Sequence, residues 1–136
     1  MNNILKVFLL LSVFVGSNFA GAVIIVHKNF PADSISASDL KKIYANKMGQ
    51  WAHGGTIIRT LLKKGKAHKD FCKRVKKSNS KLKRFWKKQV FTGKGSAPKT
   101  FKSDANMIAF IASNEKALGY VDEATDVSGV KVLTIK

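Results

Sequence analysis

Two rhythms of apolar and polar positions run along this chain. Val23-Ile24-Ile25-Val26-His27 is a short, β-branched apolar run that predicts a buried strand, closed by Phe30-Pro31-Ala32-Asp33. Leu40, Ile43 and Tyr44 then recur at helical spacing, and Ser36 stands three residues ahead of Asp39. That pattern predicts a short helix ending near Asn46, with its first N–H groups met by side chains. Trp51, His53, Gly54 and Gly55 fall in a turn-rich loop, and Thr56–Leu62 reads as a second strand, more apolar than an exposed edge would be.

The helical rhythm returns in the second half. Ala67, Phe71 and Val75 give one apolar face to a helix over about 66–77. Leu82, Phe85, Trp86 and Val90 do the same over about 80–91. A glycine-rich loop follows from Gly93 to Pro98, and Ser103 then caps a helix carrying Met107, Ile108 and Ile111. Ala117–Val121 is a buried strand, and Val130–Ile135 alternates as a last, one-sided strand. Strands separated by helices predict an α/β sandwich with a small, partly parallel sheet. There is no internal repeat and no low-complexity linker.

Length limits this pattern to one domain: 136 residues leave no room for two lobes. Upstream of the first strand, Lys6 and an apolar run from Val7 to Val15 lead to the small residues Ala20-Gly21-Ala22. This is the pattern of an export signal, with cleavage after Ala20 or after Ala22, and the run is shorter than the ~20 apolar residues of a membrane span. The expected division is a signal peptide over 1–22 and a domain over 23–136, placing the mature protein in the periplasm or outside the cell. Cys72 is the sole cysteine, so no internal disulfide can form, and its neighbours Phe71 and Val75 give it a packing role.

Charge narrows the partners. The net charge is +17, and thirteen basic residues stand between Lys63 and Lys88 against one acid, Asp70. Such a stretch is a solvated helical face, a docking face for an anionic envelope surface, or a nucleic-acid site. The spacing of Phe71, Phe85 and Trp86 puts them on core faces rather than on a stacking platform, and export separates the chain from cytoplasmic DNA, which disfavours nucleic acid. Enzymatic patterns are lacking. His27, His53 and His68 have no metal-ligand spacing, no G-x-S-x-G elbow is present, and Asp122, Glu123 and Asp126 read as a solvated turn. No cofactor is expected.

The motifs also carry a resemblance. Asp39-Leu40-Lys41-Lys42-Ile43-Tyr44, the Trp51–Gly55 loop, the Thr56 strand, the basic helix with Phe71, then Trp86, the Gly93-Lys94-Gly95 loop and Ala117-Leu118-Gly119-Tyr120-Val121 follow one another in order. In order and spacing they resemble the periplasmic phosphate-binding proteins of ABC transporters, over about Ser36 to Ile135. The resemblance implies a single lobe of a periplasmic binding protein: a three-layer-like α/β domain with a small mixed sheet flanked by helices. A full family member has two lobes with the anion between them, so this chain looks like the short, single-domain branch.

The resemblance also implies a site. The family's strand arginine corresponds to Arg59, and its Gly-Ser-Gly-Thr anion turn falls on Lys63-Lys64-Gly65-Lys66-Ala67-His68, where the hydroxyls are replaced. The expected anion-binding set is therefore Arg59, Gly65, Lys66, Ala67 and His68, with Thr92, Gly93, Lys94 and Gly95 as a secondary loop. Inorganic phosphate or a similar oxyanion is the implied ligand, held weakly, with a transporter permease or membrane sensor as partner and a homodimer as a way to rebuild the cleft. The alternative is a basic adhesion or interaction protein that kept the fold and lost the pocket.

Overall fold

The computed structural model describes residues 21–136; the expected export signal lies almost wholly outside them. Six strands form one mixed sheet: β1 (Ala22–Val26), β2 (Ser34–Ile35), β3 (Ile58–Leu62), β4 (Lys99–Phe101), β5 (Ala117–Asp122) and β6 (Lys131–Ile135). Their spatial order is β2-β6-β1-β5-β3-β4. β1 runs antiparallel to both its neighbours, β5 and β6, whereas β2–β6, β3–β5 and β3–β4 are parallel. Ala22, one of the two expected cleavage positions, is already the first residue of β1 and pairs with Asp122.

Four helices lie among the described residues: α1 (Ala37–Tyr44), α2 (Lys66–Arg74), α3 (Asn79–Phe91) and α4 (Asp104–Ala112). Their sides of the sheet follow from β5. A side chain at Gly119 would meet Met107 and Ile111 of α4. Its neighbour Tyr120 stacks on Phe71 of α2 with ring centroids 3.9 Å apart. Successive strand residues point to opposite faces, so α2 and α4 sandwich the sheet. Tyr44 of α1 meets Phe71 edge-on at 4.7 Å, putting α1 on the α2 side. The expected three-layer α/β lobe is the observed architecture.

The core is built where the two periodicities place it. Ile24, Ile25, Val26, Leu118, Tyr120 and Val121 bury the centre of the sheet. Leu40, Ile43, Tyr44, Phe71, Met107 and Ile111 cover it from the helices. Cys72 is buried, and the low-polarity surroundings push its thiol pKa up.

Some boundaries differ from expectation. The second strand begins at Ile58, while Thr56 makes only an isolated bridge with Gln50. The helix expected over 66–77 ends at Arg74, where Lys76 turns into the left-handed region at φ 62° and Lys77 N–H returns to Cys72 O. Val90, expected on the apolar face of α3, is 46% exposed, because only Leu82 and Trp86 of that helix are buried. The strands β2 and β4, two and three residues long, carry no readable alternation.

Candidate functional site

The chain leaves β3 at Leu62, passes Lys63 and Lys64, and enters α2 at Lys66 through Gly65. Gly65 sits at φ 105°, a conformation that favours glycine over any residue with a Cβ. It caps α2 without a side chain. The other three described helices are closed by serine hydroxyls: Ser36 accepts from Asp39 N–H, Ser78 from Lys81 N–H, and Ser103 from Asn106 N–H. A helix start carries unmet N–H groups and a partial positive charge. In α2 this start also lacks an acid in its first turn, and Lys63, Lys64 and Lys66 surround it in solvent.

The neighbouring helix start is filled differently. β4 runs parallel to β3 with Leu62 beside Phe101, so α4 begins at the same end of the sheet as α2. Its Asp104 carboxylate accepts from Asp122 N–H at 3.0 Å and from the Thr125 hydroxyl at 2.6 Å. The acid that α4 supplies to its own first turn is what α2 does without.

The side chains of Ala67 and His68 turn inward. Leu62 N–H donates to the Tyr120 hydroxyl at 2.8 Å, and that oxygen lies 2.6 Å from His68 Nδ1. His68 Nε2 lies 2.8 Å from Asn79 Oδ1. An amide oxygen can only accept, so this order of partners places the ring proton on Nε2 and sends the Tyr120 proton to Nδ1. The chain of bonds ties β3, β5 and the starts of α2 and α3 together. What His68 brings to the helix start is its backbone N–H, with its ring committed to the core.

Arg59 sits near the other end of β3, apart from Gly65–His68. Its Nε donates to Ile43 O at 2.6 Å, and Nη2 donates to Met48 O at 3.1 Å and Asn46 Oδ1 at 3.3 Å. The guanidinium carbon lies 4.8 Å from the centre of the Trp86 ring. Partial burial lowers its pKa from the ordinary arginine value, as expected for a cation drawn out of water. Arg59 holds the end of α1 against α3.

The secondary loop meets Arg59 rather than α2. Arg59 and Gly95 line a cleft of about 580 Å3 with Asn46, Thr56, Ser96 and Lys99. Asn46, left-handed at φ 61°, donates through Nδ2 to Gln89 Oε1 at 2.8 Å and Lys94 O at 3.0 Å. Thr92 Oγ1 donates to Lys88 O, Gly93 N–H to Val90 O and Lys94 N–H to Gln89 O. Thr92, Gly93 and Lys94 thus close α3. The residues singled out by sequence fall into two places, and Asn46, Asn79 and Tyr120, which organise them, were not among them. An asparagine at a helix end is a common left-handed stop, which was the one local signal for Asn46.

No family model matches the sequence, and no curated protein matches it either. Solved structures do resemble the fold. A substrate-binding protein assigned to phosphate ABC transport in Clostridium perfringens, solved with bound phosphate, superposes with a TM-score of 0.67 at 20% identity. The match covers 86% of this chain and 46% of that one. An ABC-type phosphate transport receptor from Vibrio cholerae gives 0.58 at 14% identity, and PstS of Borrelia burgdorferi 0.62 at 14% identity, each over 86% of this chain and 47% of the other. The chain spans less than half the length of these proteins, and at such identities the likeness is one of fold. Among the described residues, no helix is long and apolar enough to cross a membrane.

Proposed function

We propose that this chain is an exported, non-enzymatic solute-binding protein that holds an oxyanion, inorganic phosphate foremost, at the start of α2. One observation carries the reading: α2 alone among the described helices begins at a glycine with neither a capping side chain nor an acid in its first turn. The N–H groups of Lys66, Ala67 and His68 supply hydrogen bonds, and Lys63, Lys64 and Lys66 supply long-range attraction. The shared fold with a protein solved with bound phosphate supports the same reading. Binding is weak, because flexible ammonium groups stand where hydroxyls would fix the oxygens.

A single lobe offers half a cleft. A second copy facing the first would complete it, and a transporter permease or membrane sensor would read the loaded form. Arg59 and the Gly93–Gly95 loop serve the architecture near the other end of β3 and lend this site no donor.

The test is the thermal unfolding of the chain from Gly21 in phosphate and sulfate, against chloride at equal ionic strength, with light scattering in parallel. Both oxyanions should raise the melting temperature more than chloride does. Lys63→Gln, Lys64→Gln and Lys66→Gln together should cut that gain by more than half. A response equal to that of chloride overturns the reading.

A further inference from the structure

The last two residues of α3 are large, apolar and in water: Val90 is 46% exposed and Phe91 89%. Phe91 borders two shallow grooves. One runs between α3 and β4 and is floored by Leu61, Leu82, Trp86 and Pro98. The other adjoins it across the ridge of Arg84, Lys87 and Phe91 and is formed with Phe85 and the basic side chains of Lys81 and Lys88. The apolar patch is therefore continuous around the end of α3 rather than a single exposed side chain.

Its surroundings bear one sign of charge. Lys81, Lys83, Arg84, Lys87 and Lys88 are all exposed on α3, and the helix contains no acid. Lys77 adds a cation 5.1 Å above the Phe85 ring. The two ion pairs among the described residues, Arg74–Asp70 and Lys131–Asp33, leave these cations untouched.

We infer that the C-terminal half of α3 is a docking face for an anionic phospholipid bilayer. Phe91 and Val90 enter the boundary between headgroups and acyl chains, and the flanking lysine and arginine heads reach the lipid phosphates while their stems cover the apolar rim. Two features favour a bilayer over an acidic protein. The apolar side chains project from the helix end instead of lining a closed pocket, which suits a deformable partner. The cations also flank the patch on both sides, Lys81 and Lys88 along one groove, Lys83 along the other and Arg84 and Lys87 on both, as a plane of charge requires. None of Gly65–His68 lines these grooves, so membrane docking and oxyanion binding are tested by different variants.

Vesicle co-sedimentation of the chain from Gly21, which carries every described element, tests the inference. As a second reading, tryptophan fluorescence is compared between the parent and a Trp51→Phe variant that leaves Trp86 as the only emitter. Vesicles of phosphatidylcholine with about 30% phosphatidylglycerol should bind at least ~10-fold more tightly than phosphatidylcholine alone, and the difference should shrink with salt. Val90→Ser with Phe91→Ser should weaken binding by about fivefold or more, with helicity and melting temperature unchanged because both side chains already face water. Lys87→Glu with Lys88→Glu should remove it. Lys28→Glu with Lys136→Glu makes the same change in net charge on residues that follow β1 and β6, away from the β4 edge, and should leave binding within about twofold. The inference is overturned if the serine variant binds as the parent does, if the remote variant loses as much as the α3 variant, or if neutral vesicles bind equally. Capture of polyglutamate without vesicle binding overturns it in favour of an acidic protein partner.

Discussion

His68 Nδ1 lies 2.6 Å from the Tyr120 hydroxyl, across 52 positions of sequence, and the same hydroxyl accepts Leu62 N–H. A histidine in a lysine-rich stretch is thereby made part of the core, and the start of α2 is held where β3 and β5 end side by side. The bonds are buried, so removing the hydroxyl leaves two polar groups without water to replace it. Tyr120→Phe should cost about 1–3 kcal/mol. Urea unfolding should show a lower midpoint at an unchanged slope.

Gly119 precedes that tyrosine for a steric reason. A Cβ there would lie 2.5 Å from Thr60 Oγ1, 2.6 Å from Ile111 Cδ1 and 2.8 Å from Met107 Sδ. Gly119→Ala should therefore push α4 from the sheet and destabilise by about 1–3 kcal/mol. Thermal melts of the two proteins check it; equal stability would show that α4 moves freely.

Arg59 tests the separation of the two places. Arg59→Lys keeps the charge but loses the fork that meets Ile43 O, Met48 O and Asn46 Oδ1. A loss of about 1–3 kcal/mol is expected in chemical denaturation, since hydrogen bonds from a charged group are at stake. The rise in melting temperature with phosphate should stay the same in this variant, because the guanidinium is not at the start of α2. A reduced rise would place Arg59 in the anion site after all.

Stability should fall at alkaline pH. Tyr44 and Tyr120 are buried, and burial raises both phenol pKa values well above the usual tyrosine range. In the unfolded chain they ionise near pH 10. Above that pH the unfolded state holds fewer protons than the folded one, so stability is intact below about pH 10 and lost as pH rises through it. Tyr44→Phe removes one of the two contributions and should lose stability less steeply between about pH 9 and pH 11. Denaturation midpoints across that range provide the measurement.

Much of the fold was legible because it rests on local rules. The Ser36 and Ser103 caps, the apolar face of α2 through Ala67 and Phe71, continued by buried Val75 just past its end, and the Ala117–Val121 strand all stand where spacing placed them. The very short strands β2 and β4 escaped because pairing with β6 and β3, not their own pattern, makes them strands. Val90 escaped for a related reason: helical spacing puts it on the apolar face, but the neighbouring structure buries that face only as far as Trp86.

The order of helices and strands, the α/β class and the concentration of positive charge follow from side-chain periodicity, capping chemistry and composition, all of which are local to the sequence. What the individual polar residues do depends on long-range packing. Arg59 and His68 are both basic and both lay in the expected anion set, yet one clamps α1 and the other bonds Tyr120 and Asn79. Partners so far apart in sequence are chosen by where the sheet brings β3 and β5 together, and burial then makes an unmet hydrogen bond too costly to leave. The glycine at the start of α2 is the reverse case: visible in the sequence as one residue among lysines, it gains a reading as a site only from its place at the end of β3.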